Sequence, residues 1–528
     1  MFSMPMILLL MTVLMYVSTP VQFDLHLSPI AVIAIVILSH AAIAAAVWYR
    51  ALRASWTIHT PGASPNAAAQ GIDRLIDLAR WATVILTPLL LCCLGWGSLI
   101  VGKRHPDPGV DPGWELGRFF FVPQLIFLAP GILSWLCFWA AGHRIEKAMR
   151  QRTLAFRLER RIPVHEVPSL AAYIWMQLRH NCIILIPVTL AALLEEIFKH
   201  YLDKYAILGW LLAAIVFTKM VVFLPWLTTR LWDTTPLTGP LRLRLDAIAR
   251  DHRLRFRNIL LWKSHHMVSN AAILGFFPLV RYFLLSDALL ERLTDRQIEA
   301  VFAHEVGHGK HRHFWWFAAV LGGAIMLADG LGTGFMLLDS HFHWLSALDD
   351  NGRENVNSIL QLGLAGIILF FVFLPVSKQF EHQADWFAVR HLASHAPAPR
   401  PPEAGVIMSL DQFVTLELGA TYDPNAPAPP IYISTAPAPA GQATQLTAGA
   451  ETFAGALFEI VDLSHRSRDS GGPFHPSPNR RANLLYAMAT NPFIARQFEK
   501  RMLTIRLLIA LLFVAGVAGV ILDLKTSP

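Results

Sequence analysis

The sequence has few charged residues and few cysteines for its length. Only 15% of its 528 residues are Asp, Glu, Lys or Arg, whereas 54% are hydrophobic, and a water-soluble chain carries about 25% charged residues. None of the four cysteines has C-x-x-C spacing, and all lie within or beside apolar runs: Cys92, Cys93, Cys137 and Cys182. The low charge indicates a membrane protein and not a soluble one, and the cysteines suggest neither a disulfide framework nor a thiolate zinc site.

Long apolar runs account for the high proportion of hydrophobic residues. Nine runs come close to the length of about 20 residues that a helix needs to cross a bilayer: 1–23, 28–49, 82–102, 119–141, 181–198, 205–227, 314–338, 358–376 and 502–522. The first run lacks the basic start and the A-x-A-like site of a signal peptide, so we expect it to be retained. We predict a mainly α-helical, polytopic membrane protein with about nine spanning helices.

The basic residues predict how these helices are oriented. Residues 142–180 contain eight Arg and Lys residues, which makes this segment cytoplasmic by the positive-inside rule. Alternation then places 228–313 and 377–501 on the same side. The net charge of +7 has the same origin, so it does not indicate nucleic-acid binding. We expect an integral protein of the bacterial inner membrane whose functional site faces the cytoplasm.

A polar portion at 236–313 separates two groups of apolar runs. The pattern predicts an amphipathic helix over 240–250 and strands over 256–261, 267–273 and 282–285. Another helix follows, because Thr294 is a typical N-cap residue and Gln297, three positions on, is its capping-box partner. We predict a zincin-like α+β catalytic portion here.

That last helix carries the sequence H-E-V-G-H at 304–308. Residues four apart share a helix face, so His304 and His308 can occupy two corners of a tetrahedral zinc site. Glu305 is placed to take a proton from a zinc-bound water, whose pKa the metal lowers towards neutrality. The motif predicts peptide-bond hydrolysis with one Zn²⁺ per chain.

A catalytic zinc needs a third protein ligand and one open position. The metzincin pattern is absent, since its third histidine would stand at Phe314. Asp329 lies more than four helical turns beyond His308, and it would reach the metal only if that helix broke. Glu381 is favoured by topology, because one predicted spanning helix leaves the cytoplasmic surface after the motif and the next returns just before Glu381. Asp385, one turn later, can accept from a ligand histidine and fix its tautomer.

The sequence resembles the membrane zinc metallopeptidases that include the CAAX prenyl protease and the heat-shock protease HtpX. The resemblance lies in H-E-V-G-H followed, after a membrane hairpin, by E-H-Q-A-D. Supporting similarities are S-N-A at 269–271, L-S-D-A-L-L at 285–290 and H-P-S at 475–477. The resemblance implies that Glu381 is the third zinc ligand and that Asn270 and Ala271 lie along the substrate backbone. It also implies that His475 and Arg481 help to bind the substrate or the tetrahedral intermediate.

We expect the chain to have five parts. Membrane helices occupy 1–235, soluble strands with the motif helix follow over 236–313, and a membrane hairpin covers 314–376. Residues 377–501 contain the third-ligand helix, a Pro/Ala-rich insertion and the His-Pro segment, and a last membrane helix covers 502–528. We expect one helix within the insertion, near 403–419. We interpret His311 and His313 as interface residues, since no carboxylate or cysteine completes a second metal site.

These features predict a membrane-embedded zinc metalloendopeptidase. The resemblance implies membrane-associated, misfolded or lipid-anchored protein substrates. The partners we expect are a protein or peptide substrate and the lipid bilayer, without nucleic acid. The alternative is a non-catalytic membrane transporter or scaffold that retains a peptidase-like zinc site.

Overall fold

A computed structural model gives the arrangement of most of the chain. It describes residues 27–62, 64–101, 122–159, 164–197, 206–348, 350–395, 442–463, 467–472 and 474–526. The predicted spanning run at 1–23 and the helix expected near 403–419 lie outside the described residues.

Six helices lie in the described residues before the soluble portion: α1 Pro29–His59, α2 Pro65–Pro88, α3 Trp96–Val101, α4 Val122–Glu159, α5 Leu170–Ile197 and α6 Ala206–Leu231. Ser28 and Ser64 cap α1 and α2, each accepting from a backbone N–H of the first turn. Proline follows at the first helical position, where its missing N–H leaves no hydrogen bond unmade. Helices α1 to α4 enclose an apolar core distinct from the core around the H-E-x-x-H motif.

Among the described residues, six helical stretches are long and apolar enough to cross a bilayer. They are Pro29–His59, Pro65–Cys93, Val122–Ala155, His313–Phe342, Val356–Ser394 and Pro492–Ile521. Each overlaps one of the nine predicted runs, and α5 and α6 lie over two others. The prediction of an α-helical membrane protein is confirmed, and the number nine stays a prediction.

The soluble portion contains a four-stranded mixed sheet in the order β1-β2-β4-β3. Its strands are β1 Thr234–Pro236, β2 Asn258–Trp262, β3 Ala271–Leu274 and β4 Tyr282–Ser286. β2 and β4 pair in parallel, while β1 and β3 flank them in antiparallel orientation. β2, β3 and β4 fall where strands are predicted, but β1 is too short to give a pattern. β3 is thus an edge strand of this sheet.

The remaining helices surround the sheet or continue into the membrane: α7 Pro240–Asp251, α8 Asp287–Arg292, α9 Asp295–Lys310, α10 His313–Phe342, α11 Asp350–Ile368, α12 Leu374–Ser394, α13 Gln442–Leu463, α14 Pro478–Thr490 and α15 Pro492–Thr526. The predicted capping box of α9 is present. Thr294 Oγ1 accepts from the backbone N–H of Gln297 at 3.3 Å, and Gln297 Oε1 accepts from that of Thr294 at 2.9 Å. α9 packs between β3 on one side and α12 and α13 on the other.

The membrane hairpin returns the chain to the level of α9. α10 leads away from it, and α11 passes through a π-helical turn at Leu369–Phe373 into α12. α15 packs along α10, where a Cβ added to Gly519 would lie only 3.0 Å from the Cα of Gly330. Glycines at this crossing let the two backbones approach closely, as in other membrane helix pairs.

Candidate metal centre

One face of α9 presents the two motif histidines. His304 is buried at 7% exposure, and the Nε2 atoms of His304 and His308 are 3.1 Å apart. This follows from the four-residue spacing, which stacks side chains one turn apart on the same face. The two nitrogens therefore point to a common position.

Glu381 on α12 reaches the same position from the other side. Its Oε2 lies 3.9 Å from His304 Nε2, and its Oε1 lies 3.5 Å from His308 Nε2. In a tetrahedral site with bonds of about 2.0 to 2.1 Å, ligand atoms are about 3.3 Å apart. The three donors, which lie within 4.8 Å of one another, thus match the spacing and the ligand types of a zinc site.

Asp385 and Arg481 support His304 from behind. His304 Nδ1 lies 2.9 Å from Asp385 Oδ1, so its ring proton belongs on Nδ1 and its Nε2 carries the lone pair. Asp385 is fully buried and accepts two hydrogen bonds from Arg481, at 2.8 and 2.5 Å. Burial alone lowers the pKa of His304, but the Asp385 and Glu381 carboxylates outweigh it and the pKa is raised. Burial also lowers the pKa of Arg481, and the same carboxylates reverse this and raise it.

Glu305 lies beside the three donors and is held by the edge strand. Its Oε2 accepts from the backbone N–H of Ile273 at 2.9 Å. Burial raises the pKa of Glu305 to about 7, the negative charge of Glu381 acts in the same direction, and the charge on His304 opposes it. A carboxylate that titrates near neutrality can both take up and release a proton.

His475 and Arg481 come from the segment after the insertion. His475 Nδ1 lies 2.9 Å from Glu381 Oε2, and its side chain is 42% exposed. The backbone oxygen of Phe474 accepts from Ser377 Oγ at 3.2 Å, which fixes the segment against α12. Arg481 is mostly directed at Asp385 and lies 3.8 Å from Glu381. The structure thus brings both residues to the donors, with Arg481 more deeply buried than His475.

Asn270 and Ala271 lie at the start of β3. The backbone N–H of Asn270 donates to Ser286 Oγ at 2.9 Å, and its carbonyl accepts from the Ser286 N–H at 3.0 Å. Asn270 is therefore occupied by β4 through its backbone. Ala271 and Ile273 alternate with this bonding and direct their backbone groups away from β4.

His313 and Gln383 lie near the donors, although the sequence predicts no part in the metal centre for either of them. His308 Nδ1 lies 2.9 Å from His313 Nδ1, and His313 Nε2 lies 3.0 Å from Gln383 Oε1. His313 is 1% exposed, which differs from the prediction of an interface residue. The only sequence signal is its position five residues after His308, which gains meaning once the end of α9 is known.

A second cluster of histidines lies between α4 and the sheet. His165 Nε2 and His266 Nδ1 are each 2.7 Å from Glu291 Oε2. Their rings are stacked, with centroids 3.4 Å apart and an interplanar angle of 7°. The two ring nitrogens thus contact the same carboxylate oxygen. We therefore attribute this cluster to polar contacts with Glu291, which join the linker after α4 to the loop before β3.

The chain is helical and membrane-spanning, one helix carries H-E-x-x-H, and a membrane hairpin returns a glutamate to the two histidines. These features are typical of the membrane metallopeptidases. Comparison with known sequences agrees, since residues 241–441 match the model of Peptidase family M48. This match supports the resemblance to the membrane zinc metallopeptidases.

Relatives of known name support this assignment. The chain is 29% identical over 125 residues to a protease HtpX homolog of Archaeoglobus fulgidus, covering 23% of this chain and 34% of that protein. It is 32% identical over 123 residues to a protease HtpX homolog of Pyrococcus furiosus, covering 22% and 40%. The CAAX prenyl protease 1 homolog of Arabidopsis thaliana is 27% identical over 332 residues, covering 59% and 72%. The matches to the two HtpX homologs thus span well under half of those proteins.

One solved structure aligns with most of this chain. The crystal structure of S. mikatae Ste24p aligns with 87% of this chain and 98% of its own, with 13% identity and a TM-score of 0.40.

Proposed function

We propose that this protein is a membrane-embedded zinc metalloendopeptidase. The observation that carries the proposal is the convergence of His304, His308 and Glu381 on one point, with the buried carboxylate of Glu305 beside it. Two neutral imidazoles and a carboxylate, with one position left for water, form the donor set of catalytic zinc. When bound there, zinc would polarise a water molecule and the scissile carbonyl.

The chain's own residues would handle the protons and the charge. Glu305 takes a proton from the attacking water and passes it to the leaving amine, for which a pKa near neutrality is suited. Asp385 keeps the proton of His304 on Nδ1, so that Nε2 is free to bind the metal. His475, the more exposed of the two basic residues, is the better placed to meet the oxyanion that develops on the substrate. Arg481 would act there only through its longer contact with Glu381.

Substrate binding is proposed along the edge of β3. An extended peptide can add to a sheet edge through its main chain. The outward groups of Ala271 and the carbonyl of Ile273 are the ones such a peptide would meet, because the Ile273 N–H already donates to Glu305. The backbone of Asn270 is taken by Ser286, so Asn270 would contribute its side chain. The catalytic base would thereby be linked directly to the substrate strand.

The proposed substrates are membrane-associated, misfolded or lipid-anchored proteins. The support for this is the position of the site, because α10 and α12 belong to spanning stretches and both border it. The names of the relatives, HtpX and CAAX prenyl protease, favour the same classes. We further propose that the site faces the cytoplasm and that the five predicted parts of the chain function as one unit.

The test compares zinc content and casein cleavage for wild type and Glu305→Gln, both purified in detergent. The variant should hold about one zinc, like wild type, and should cleave at least about 100-fold more slowly. Glu299→Gln on the same helix is the matched control, because Glu299 pairs with Arg296 at 3.2 Å instead. Zinc in both proteins with cleavage by neither favours the alternative, a scaffold. A wild type without zinc, or a variant as fast as wild type, refutes the proposal.

A further inference from the structure

His313 opens α10 and lies directly behind a proposed zinc ligand. Arg312 has a left-handed φ of 56°, so the chain turns sharply between α9 and α10. This turn brings the ring of His313 back to His308. There it stacks on Phe380, with centroids 4.4 Å apart and an interplanar angle of 2°. Burial at this depth leaves its two nitrogens dependent on partners within the protein.

A continuous chain of polar contacts starts at His308. His308 Nδ1 meets His313 Nδ1 at 2.9 Å, and His313 Nε2 meets Gln383 Oε1 at 3.0 Å. The same Oε1 atom accepts from Arg506 Nη2 at 3.0 Å. This series of polar contacts thus links α9, α10 and α12 to α15, the last helix of the described residues.

The position of every proton in this chain follows from Arg506. A guanidinium can only donate, so the Gln383 atom that faces it is the oxygen, which can only accept. His313 must then donate from Nε2, and as a neutral imidazole it accepts at Nδ1. His308 consequently carries its proton on Nδ1, and its Nε2 has the lone pair.

The lone pair of His308 Nε2 faces that of His304 Nε2 at 3.1 Å, where a metal ion would bind both. Asp385 sets the tautomer of His304 in the corresponding way. The two histidine ligands are therefore supported by different devices, one a carboxylate and the other a neutral chain that ends in a guanidinium.

We propose that His313, Gln383 and Arg506 are positioning residues that hold His308 with its Nε2 directed at the metal. This inference rests on the proposed zinc site. It makes the last membrane helix part of that site, although α15 lies outside the residues 241–441 that match the peptidase family. The close packing of α15 on α10 keeps Arg506 within reach of Gln383.

The test measures the zinc dissociation constant by chelator competition, together with the visible spectrum of the cobalt-loaded protein. His313→Phe keeps the ring and its stacking on Phe380 but lacks an acceptor for His308. His313→Gln restores one acceptor and one donor. His311→Phe is the matched control, because the ring of His311 stacks near that of His313, with centroids 5.8 Å apart, and takes no part in this series of hydrogen bonds.

His313→Phe should weaken zinc binding about 10- to 100-fold, the usual effect of losing a partner of a ligand histidine. It should also shift the cobalt spectrum, because His308 is no longer held in one orientation. His313→Gln should recover zinc binding to within about fivefold of wild type, and His311→Phe should leave it within about twofold. A merely structural role of His313 would not be rescued by glutamine, which has a different shape.

Arg506→Met provides a second variant, remote from the donors, and it decides the matter if His313→Phe does not fold. Without the guanidinium the Gln383 amide can turn over, so zinc binding should weaken about 3- to 10-fold. Wild-type zinc binding that requires His304 and Glu381, combined with unchanged binding in His313→Phe and Arg506→Met, overturns this inference alone. A wild type that binds no zinc overturns the proposed function as well.

Discussion

The distance between the two ligand-bearing helices is set by Gly307, inside the motif itself. A Cβ added there would lie 3.2 Å from the Cα of Ala384 and 3.2 Å from the Cβ of Phe387. Ordinary carbon contacts are about 3.5 to 4.0 Å. Gly307→Ala must therefore push α9 and α12 apart by about 0.3 to 0.8 Å.

This displacement acts on the longest distances in the candidate site. Glu381 is already 3.5 and 3.9 Å from the two histidine nitrogens, and functional sites tolerate errors of about 0.5 Å. Overpacking costs about 1 to 3 kcal/mol, while alanine favours the helix over glycine by about 1 kcal/mol. Thermal stability should thus change little. If about 1 to 2 kcal/mol of the strain is relieved by separating the ligands, the zinc dissociation constant rises about 5- to 30-fold.

The assay is zinc titration against a chelator, with casein cleavage on the same preparations. Gly309→Ala is the matched control on the same helix, because the three atoms nearest to its added Cβ, at 2.8 to 3.1 Å, are terminal methyl groups of Leu254 and Ile273 and not backbone atoms of α12. The control should bind zinc within about twofold of wild type, since flexible side chains can move aside. Equal zinc affinity in Gly307→Ala and wild type would refute the reasoning that this glycine sets the ligand spacing.

Three further predictions concern buried charge and helix packing. The pKa of Glu305 in the fold, about 7, exceeds its ordinary value of 4.5. Its contribution to the stability of the metal-free protein is therefore fully present below pH 4.5 and is lost as the pH rises through 7. In thermal melts, metal-free Glu305→Gln should be about 3 kcal/mol more stable than wild type at pH 8 and equal to it near pH 4.5. Arg481→Met leaves Asp385 buried without its guanidinium and should cost about 3 to 5 kcal/mol, much of which the additional change Asp385→Asn should recover; a variant that loses turnover but no thermal stability would instead assign Arg481 to the transition state. Gly519→Val should separate α15 from Gly330 and cost about 1 to 3 kcal/mol, measured as a lower melting temperature in detergent.

Features that depend on neighbouring residues could be predicted from the sequence. The capping box of Thr294 and Gln297, the motif helix and most strands fall where local patterns indicate them. Glu381 could also be predicted, because a membrane hairpin fixes the level at which the chain returns. Membrane-spanning segments could be predicted equally well from the apolar runs, and six of these runs lie on helices able to cross a bilayer.

Pairings between distant segments could not be predicted. Arg481 and Asp385 are 96 positions apart, and His313 and Gln383 are 70 apart. No local pattern encodes such a contact, since it depends on how α10, α12 and α14 pack. The family resemblance implies a substrate role for Arg481, whereas its shortest contacts are with Asp385; which role dominates stays a prediction until the melting experiment is done.

The arrangement also gives a physical reason why the proposed zinc site is built from so many separate elements. α9 alone fixes only the spacing of two histidines, which any helix would provide. Apart from His313 at the start of α10, the remaining requirements come from α12, α14 and α15: a third donor and the contacts that fix two tautomers. Two of these helices belong to spanning stretches, so changes in their packing act directly on the ligand geometry. A site built in this way should lose zinc when its membrane helices separate, before the soluble sheet unfolds.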